Sequence, residues 1–111
     1  IGSLGKSRNY VNVEKIHVTN AFFNQTTNGA RIKTWQVTGV QISNVSYKEI
    51  YGTSTTDIAI NLNCSRSVPC RGIWMESIQL TSAKAGRKVT ANCTSAYGQE
   101  VDVFPYPCLL D

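Results

Sequence analysis

Apolar residues in this chain recur in a pattern that alternates, skips two positions and alternates again. The pattern occurs three times, with starting points separated by about 29 and about 33 residues. Alternation predicts β-strands with one apolar face, and each two-residue skip predicts a sharp bend after which the apolar side chains still point inward. The three copies are Val11-x-Val13-x-x-Ile16-x-Val18, Val40-x-Ile42-x-x-Val45-x-Tyr47 and Ile73-x-Met75-x-x-Ile78-x-Leu80.

A further short strand is predicted after each copy, over Ala30 to Thr34, Ile58 to Asn63 and Val89 to Cys93. Three short strands joined by corners in each repeat of roughly 25 to 35 residues are typical of a right-handed parallel β-helix, whose coils stack about 4.8 Å apart. We therefore predict an all-β fold of about three coils. A β-sandwich is the alternative, but it needs hairpin dipeptides between strands, and only Asn28-Gly29 qualifies.

Residues 1–111 are predicted to form a single domain. The chain is 41% apolar and 16% charged, and its apolar runs are far shorter than the roughly 20 residues that span a bilayer, so no membrane association is predicted. The tail from Thr94 to Asp111 contains Pro105 and Pro107 and is predicted to be a C-terminal cap tied by a disulfide.

Four cysteines, Cys64, Cys70, Cys93 and Cys108, allow three disulfide pairings. Pairing of sequence neighbours closes short loops, which the chain-entropy estimate values at about 2 and about 3 kcal/mol. The sequence has no Cys-x-x-Cys pair and its single histidine, His17, is distant, so neither a metal site nor a cofactor is predicted. Disulfides indicate an oxidising compartment.

Four Asn-x-Ser/Thr sequences are candidate glycosylation sites and favour secretion. The first residues lack the apolar core of a signal peptide, so we expect a secreted chain to be mature, processed or a fragment. The formal charge of +4 suits a polyanionic partner, whereas the 11 dispersed Lys and Arg residues form no stripe typical of nucleic-acid binding. The candidate sites are Asn24, Asn44, Asn63 and Asn92.

Several strings resemble one known family. They are Ile1-Gly-Ser-Leu-Gly, Asn28-Gly-Ala-Arg-Ile-Lys-Thr-Trp-Gln36, Tyr51-Gly-Thr-Ser54 and Asn63-Cys-Ser-Arg-Ser-Val-Pro-Cys70. In this order they resemble the C-terminal part of plant polygalacturonases, which belong to family twenty-eight of the glycoside hydrolases. The resemblance covers essentially the whole chain. It implies a secreted cell-wall protein with a pectin-lyase-like β-helix that hydrolyses α-1,4-galacturonan with inversion.

Inverting hydrolysis needs one carboxylic acid to protonate the leaving oxygen and one carboxylate to activate water. In the family these groups come from an Asn-Thr-Asp segment and an Asp-Asp pair, followed by a Gly-His-Gly motif, and none of these is present here. The resemblance places the family's active-site histidine a few residues before Ile1. We therefore predict no catalytic residue in this chain, missing N-terminal coils, and no hydrolysis by the chain alone.

Arg31 and Lys33 match the family's substrate-binding Arg-Ile-Lys, and alternation predicts that both project outward from one strand, about 6 to 7 Å apart. A planar guanidinium and a mobile ammonium suit the carboxylate of a galacturonate. After Gln36 the family carries roughly 40 further residues, so we predict an excised coil there.

The other candidates have simpler interpretations. His17 is the single histidine and therefore a candidate for acid–base catalysis, but its place in the repeat predicts an outward position beside Ser46 and Gln79. The seven carboxylates contain no adjacent pair and are predicted to be solvated surface groups. Trp35, beside the Arg-Ile-Lys string, could stack on a sugar ring, whereas Trp74 is expected to pack against a neighbouring coil.

The sequence therefore predicts the C-terminal part of a secreted polygalacturonase-like protein whose partner is an acidic polysaccharide. A non-catalytic extracellular pectin-binding, defence or regulatory protein derived from such an enzyme is the alternative. A first coil without a predecessor would expose unpaired strand edges. We therefore expect an oligomer or association with the missing N-terminal coils.

Overall fold

The computed structural model describes residues 1, 11–34, 40–106 and 108–110, and these form seven β-strands in two sheets. One sheet has the order β1-β3-β5-β7 and the other has the order β2-β4-β6, with parallel pairing throughout. The strands are β1 (Val11–Thr26), β2 (Ala30–Lys33), β3 (Val40–Ser54), β4 (Ile58–Asn63), β5 (Cys70–Ser82), β6 (Thr90–Thr94) and β7 (Ala96–Phe104).

A strand of the first sheet followed by a strand of the second makes one coil of a parallel β-helix. The described residues contain about three such coils, and β7 begins a fourth. The predicted all-β fold and the three short strands β2, β4 and β6 are confirmed, and the β-sandwich alternative is wrong because neighbouring strands are parallel.

The long strands of the first sheet bend at residues with left-handed backbone conformation. Lys15, Asn44 and Ser77 have φ angles of 58°, 54° and 54°, and each is the second residue of a two-residue skip in the apolar pattern. One left-handed residue interrupts the alternation, so that side chains before and after the bend both face the interior. The predicted corners are therefore confirmed at all three positions.

Stacked apolar rungs fill the space between the two sheets. Val45 pairs with Ile73 and Tyr47 pairs with Met75, and all four side chains are buried. The largest side chains in this core that are fully buried are Ile32, Ile42, Ile50, Ile60, Leu62, Ile73, Met75, Ile78, Leu80, Val40, Val45 and Cys64.

The register of the third copy of the pattern differs from the prediction. Val40 was expected to align with Ile73, whereas Ile73 pairs with Val45, and Leu80 pairs with Gly52 rather than with Tyr47. The pattern repeats every five residues along these strands, so a shift of five positions still directs every apolar side chain inward. Apolar spacing alone therefore fits both registers.

The C-terminal tail contains more regular structure than a cap. β7 is the fourth strand of the first sheet and pairs with β5. After β7 the chain turns back over the end of the β-helix. There Leu110 N donates to the Ala96 carbonyl at 3.0 Å, and Gly98 N donates to the Leu110 carbonyl at 2.9 Å. A disulfide between Cys93 and Cys108 ties this segment down, as predicted.

The second disulfide joins Cys64, which directly follows β4, to Cys70, the first residue of β5, with the Cα atoms 5.9 Å apart. Both bridges follow the predicted nearest-neighbour pairing. The predicted junction after Gln36 and the side chain of Trp35 lie outside the described residues.

Candidate functional site

The outer face of the second sheet carries the two predicted binding residues. Ala30 and Ile32 are buried in β2, whereas Arg31 is exposed and Lys33 is partly exposed, so the two cations project from the same side. Alternation along a strand separates such side chains by about 6 to 7 Å. In-register neighbours extend this face over the next coils: Arg31 pairs with Asn61, Lys33 with Asn63, Asn61 with Asn92 and Asn63 with Thr94.

Three hydrogen bonds fix the backbone of β2 around Arg31. The Ile1 nitrogen donates to the Arg31 carbonyl at 2.7 Å, and Lys33 N donates to the Ile1 carbonyl at 3.0 Å, so Ile1 lies directly beside β2. From the interior, the hydroxyl of buried Tyr47 donates to the same Arg31 carbonyl at 3.3 Å. Burial raises the pKa of Tyr47 above its usual range, so this hydroxyl remains a donor at physiological pH.

Arg31 also forms one wall of an open cleft of about 390 Å³ between the first two coils. Asn61 lies beside Arg31 on the sheet, and residues of the turns preceding β2 and β4 complete the lining. The cleft is lined by Thr27, Asn28, Arg31, Thr56, Asp57, Ile58 and Asn61. A guanidinium, amides and hydroxyls around one opening can donate to the carboxylate and accept from the hydroxyls of a sugar acid.

Hydrogen bonds between the coils hold the turns of this cleft. Thr56 Oγ1 donates to the Thr27 carbonyl at 2.7 Å, and Asn28 Nδ2 donates to the Ile58 carbonyl. The buried Ser54 hydroxyl lies 2.9 Å from the Thr27 carbonyl oxygen. The Thr-rich turns are therefore structural parts of the β-helix that also shape the cleft.

The described carboxylates occupy separate environments. Asp57 pairs with Arg87 at 3.3 Å on the surface, and Glu76 accepts from Trp74 Nε1 at 3.0 Å. Glu14, Glu49 and Asp102 are exposed. Asp111 lies outside the described residues.

The prediction that all seven carboxylates are solvated surface groups is wrong for Glu100. Glu100 pairs with Met75 across β5 and β7, so its side chain occupies an inward-facing position. Its Oε1 atom is buried and has no hydrogen-bond partner among the described residues. Leu109 N donates to Oε2 at 3.4 Å. Burial raises the pKa of Glu100, and the backbone donors of Leu109 and Cys108 only oppose that shift.

His17 projects outward from β1, as predicted, and its Nδ1 lies 2.6 Å from Ser46 Oγ. The pairing with Ser46 was predicted correctly. The next residue of that row is Trp74 rather than Gln79, because of the register shift in β5. Trp74 is partly exposed on the outside of the first sheet, where Glu76 accepts its indole proton.

The four candidate glycosylation sites fall on different surfaces. Asn24 is exposed near the end of β1, and Asn44 is exposed at a corner of β3. Asn63 is partly buried and Asn92 is exposed, and both project from the outer face of the second sheet. Asn92 Nδ2 donates to Asn61 Oδ1 at 3.3 Å. Occupancy of these sites stays a prediction.

Within the described part of the chain, no three His, Cys, Asp or Glu side chains are grouped so that they could bind a metal ion. The same residues include no helix long and apolar enough to cross a membrane.

Sequence reasoning placed Arg31 and Lys33 but missed their surroundings. Tyr47 was predicted as an apolar rung, and its polar end contacts the strand that carries Arg31. A tyrosine among Val and Ile positions was the only signal for that contact. Asn61 joins the site only because β2 and β4 pair in register, which no short motif indicates.

The geometry agrees with the result of family comparison. The sequence model of the glycosyl hydrolases family 28 matches residues 1–39 and 36–101. The chain therefore belongs to this family, and the resemblance inferred from its motifs is confirmed.

Several plant polygalacturonases are similar to the chain. A probable polygalacturonase of Arabidopsis thaliana is 31% identical over 151 residues, covering 100% of this chain and 34% of the relative. A polygalacturonase of Prunus persica is 32% identical over 150 residues, with coverage of 98% and 38%. One from Chamaecyparis obtusa is 36% identical over 138 residues, with coverage of 87% and 27%. No solved structure matches significantly.

The chain thus spans about a third of the length of these relatives. Its predicted correspondence to the C-terminal coils of a longer β-helix is compatible with that share.

Proposed function

We propose that this chain supplies part of the galacturonan-binding surface of a secreted polygalacturonase that degrades pectin in the plant cell wall. Arg31 and Lys33 are the substrate-binding residues. The observation that carries this proposal is their common outward direction from β2, with Arg31 lining the cleft between the first two coils.

Charge and geometry support an acidic sugar as the ligand. The guanidinium of Arg31 can donate two parallel hydrogen bonds to one carboxylate, and the ammonium of Lys33 can follow a second, less fixed carboxylate. The net charge of +4 adds a general attraction for a polyanion. Asn61 and Asn63, the in-register neighbours on β4, can accept from sugar hydroxyls.

The contact between Ile1 and β2 supports a catalytic centre beside this surface. The resemblance aligns Ile1 with the segment that follows the family's Gly-His-Gly motif, and Ile1 hydrogen-bonds on both sides of Ile32. In a longer β-helix, coils preceding Ile1 would bring the family's acids next to Arg31 and Lys33.

We also infer that the chain lacks a coil after Gln36 that its relatives have. The alignment with the Arabidopsis relative spans 151 positions, about 40 more than the chain's 111 residues. The family model matches in two segments that meet at residues 36–39. Because coils stack in parallel register, removal of a whole coil leaves the remaining rungs able to pair.

The binding proposal is tested by titrating the chain with a galacturonate pentamer. The double variant Arg31→Ala/Lys33→Ala should bind at least about tenfold more weakly, since two charge-assisted contacts are removed. Lys48→Ala removes an exposed cation from the first sheet and is the matched control, with an expected change below about twofold. Equal losses in both variants would show that net charge rather than this face determines binding.

A separate assay measures new reducing ends on polygalacturonate. We expect no turnover by this chain alone, because the family's acidic motifs are absent from it. Turnover that Arg31→Ala abolishes would show that other carboxylates of this chain perform the chemistry.

A further inference from the structure

A second cleft lies between the last coils, on the same edge of the β-helix as the first. This edge, called here the turn edge, is formed by the stacked turns 27–29, 55–57 and 83–89, each of which connects a strand of the first sheet to one of the second. The turns are hydrogen-bonded along the stack, with Thr55 N donating to the Thr26 carbonyl and Thr90 N donating to the Asp57 carbonyl, both at 2.7 Å.

The second cleft has a volume of about 510 Å³ and combines aromatic, cationic and hydroxyl groups. The buried side chain of Val89 lines the cleft, and Thr81 and Ser82 contribute hydroxyl groups. Two exposed cations, Arg87 and Lys88, also line it. Of these residues only Val89 was singled out from the sequence, as the first residue of a predicted strand, and the family motifs include none of them.

Two aromatic rings of the cleft remain open to solvent. The rings of Phe104 and Tyr106 are 5.9 Å apart at an angle of 65°, and the two residues are 39% and 80% exposed. Neighbouring aromatic rings at such an angle present one ring face that is not used by the other. An exposed aromatic pair in a cleft is more unusual than scattered exposed apolar residues and indicates a ligand.

We propose that this cleft is a second binding site for an acidic oligosaccharide, separate from Arg31 and Lys33. The electron-rich face of Tyr106 or Phe104 packs against the C–H groups of a pyranose ring. Lys88 and Arg87 then bind the ring's carboxylate, and the Thr81 and Ser82 hydroxyls exchange hydrogen bonds with its hydroxyls. The choice of a galacturonate-type ligand rests on the proposed function, whereas the existence of the site rests on the cleft itself.

The ion pair between Arg87 and Asp57 connects the two clefts. Asp57 lines the first cleft and Arg87 lines the second, and their charged atoms are 3.3 Å apart. Both residues are more than half exposed, so the pair is weak and leaves the guanidinium able to contact a carboxylate. A chain of sugar acids could therefore follow the turn edge from one cleft to the other.

The test uses the full 111-residue chain, isotopically labelled, titrated with a galacturonate pentamer and separately with a neutral glucose pentamer. We expect backbone amide shifts in residues 81–90, in Phe104 and in Tyr106 with the acidic pentamer only, and we expect these shifts to persist in Arg31→Ala/Lys33→Ala. Their persistence or loss in that variant separates this site from the one in the proposed function. If the acidic pentamer shifts no amide of residues 81–90 in the wild-type chain, or shifts none of them in Arg31→Ala/Lys33→Ala, the proposal is overturned.

Three variants assign the effect to side chains. Phe104→Ala/Tyr106→Ala should weaken binding in this cleft at least about fivefold, and Lys88→Gln about threefold, with both effects measured by the same amide shifts. Phe22→Ala removes an exposed aromatic ring from β1 and should change binding less than twofold. A Phe22 effect as large as the double variant's would overturn the cleft as the site.

A second copy of this chain is the competing occupant. If the aromatic double variant abolishes self-association measured by sedimentation, while neither pentamer shifts the cleft amides, then the surface is an interface between copies and the sugar site is wrong.

Discussion

The same inward position of the β-helix has different exposure in its central and terminal rungs. Ile73 in β5 is 1% exposed, while Ile16, which occupies the same ladder in β1, is only partly buried. Both side chains face the interior. Ile73 has rungs on both sides, whereas among the described residues Ile16 has a neighbouring rung only on the side of β3. The inward direction of an apolar side chain therefore does not by itself determine how deeply that side chain is buried or how much it stabilises the fold.

At the C-terminal end of the β-helix, the last inward positions are covered by the chain itself. β7 places Gly98 and Glu100 at inward positions, and the segment 108–110 folds across this end with a disulfide to hold it. A terminal rung can thus be covered by the chain itself. At the opposite end the inward residues of β1 are only partly buried among the described residues, and the cover of that end by further coils or another chain stays a prediction.

The largest difference between the rungs should appear in matched substitutions of one ladder. Ile73→Ala should lower the free energy of unfolding by about 4 kcal/mol, because it leaves a cavity in a core packed on both sides. Ile16→Ala should cost less than about 2 kcal/mol, since a partly exposed site has less burial to lose. Urea denaturation of both variants measures the difference, and equal losses would show that β1 is as fully packed as β5.

A smaller loss is expected at Gly52, where β3 leaves no room for a side chain beside β1. Gly52 has a φ of 147°, and a Cβ there would lie 1.8 Å from the Phe23 carbonyl oxygen. Gly52→Ala must therefore displace the end of β1 and should cost about 3 kcal/mol.

The control for that substitution is Gly86→Ala, because Gly86 also has a positive φ but a Cβ there meets nothing within 4 Å. It should cost about 1 kcal/mol from backbone strain alone. Hydrogen exchange should report loss of protection in β1 for Gly52→Ala only. Unchanged protection there would contradict the close approach of the two strands.

These elements also show how far the sequence could predict the structure. The pairing of β1 with β3 was predicted correctly, since Val11 pairs with Val40 and Ile16 pairs with Val45. The pairing of β3 with β5 was not, because the five-residue periodicity makes two registers equivalent in their apolar positions. β7 was missed because Gly98 and Glu100 interrupt its apolar alternation.

The candidate site also has a part that the sequence predicted and a part that it did not. Arg31 and Lys33 followed from a contiguous motif and from alternation along one strand. The first cleft depends on residues such as Asn61 and Thr56, about 30 positions away in sequence and brought together by one turn of the coil. The aromatic pair of the second cleft was hidden in a segment predicted to be only a cap.

The smallest expected effect is the pH dependence contributed by Glu100 in the terminal rung. Burial raises its pKa above the ordinary value of 4.5, so the folded state binds this proton more tightly than the unfolded state does. The contribution of Glu100 to stability is therefore complete below the unfolded pKa and decreases as the pH rises through that value and the higher folded pKa.

Glu100→Gln removes this dependence while keeping the shape of the side chain. Relative to the variant, the wild-type chain should lose stability as the pH rises above the ordinary carboxyl pKa of 4.5, as measured by thermal unfolding at several pH values. Parallel profiles of wild type and Glu100→Gln would show that the buried carboxylate does not titrate differently on folding.

A crystal structure of this chain with a galacturonate trimer tests the central claim most directly. The account predicts parallel coils in the observed register, with a sugar carboxylate about 3 Å from the Arg31 guanidinium and its ring on the outer face of the second sheet. A trimer bound on the first sheet, or an Arg31 side chain turned away from every bound sugar, would contradict it.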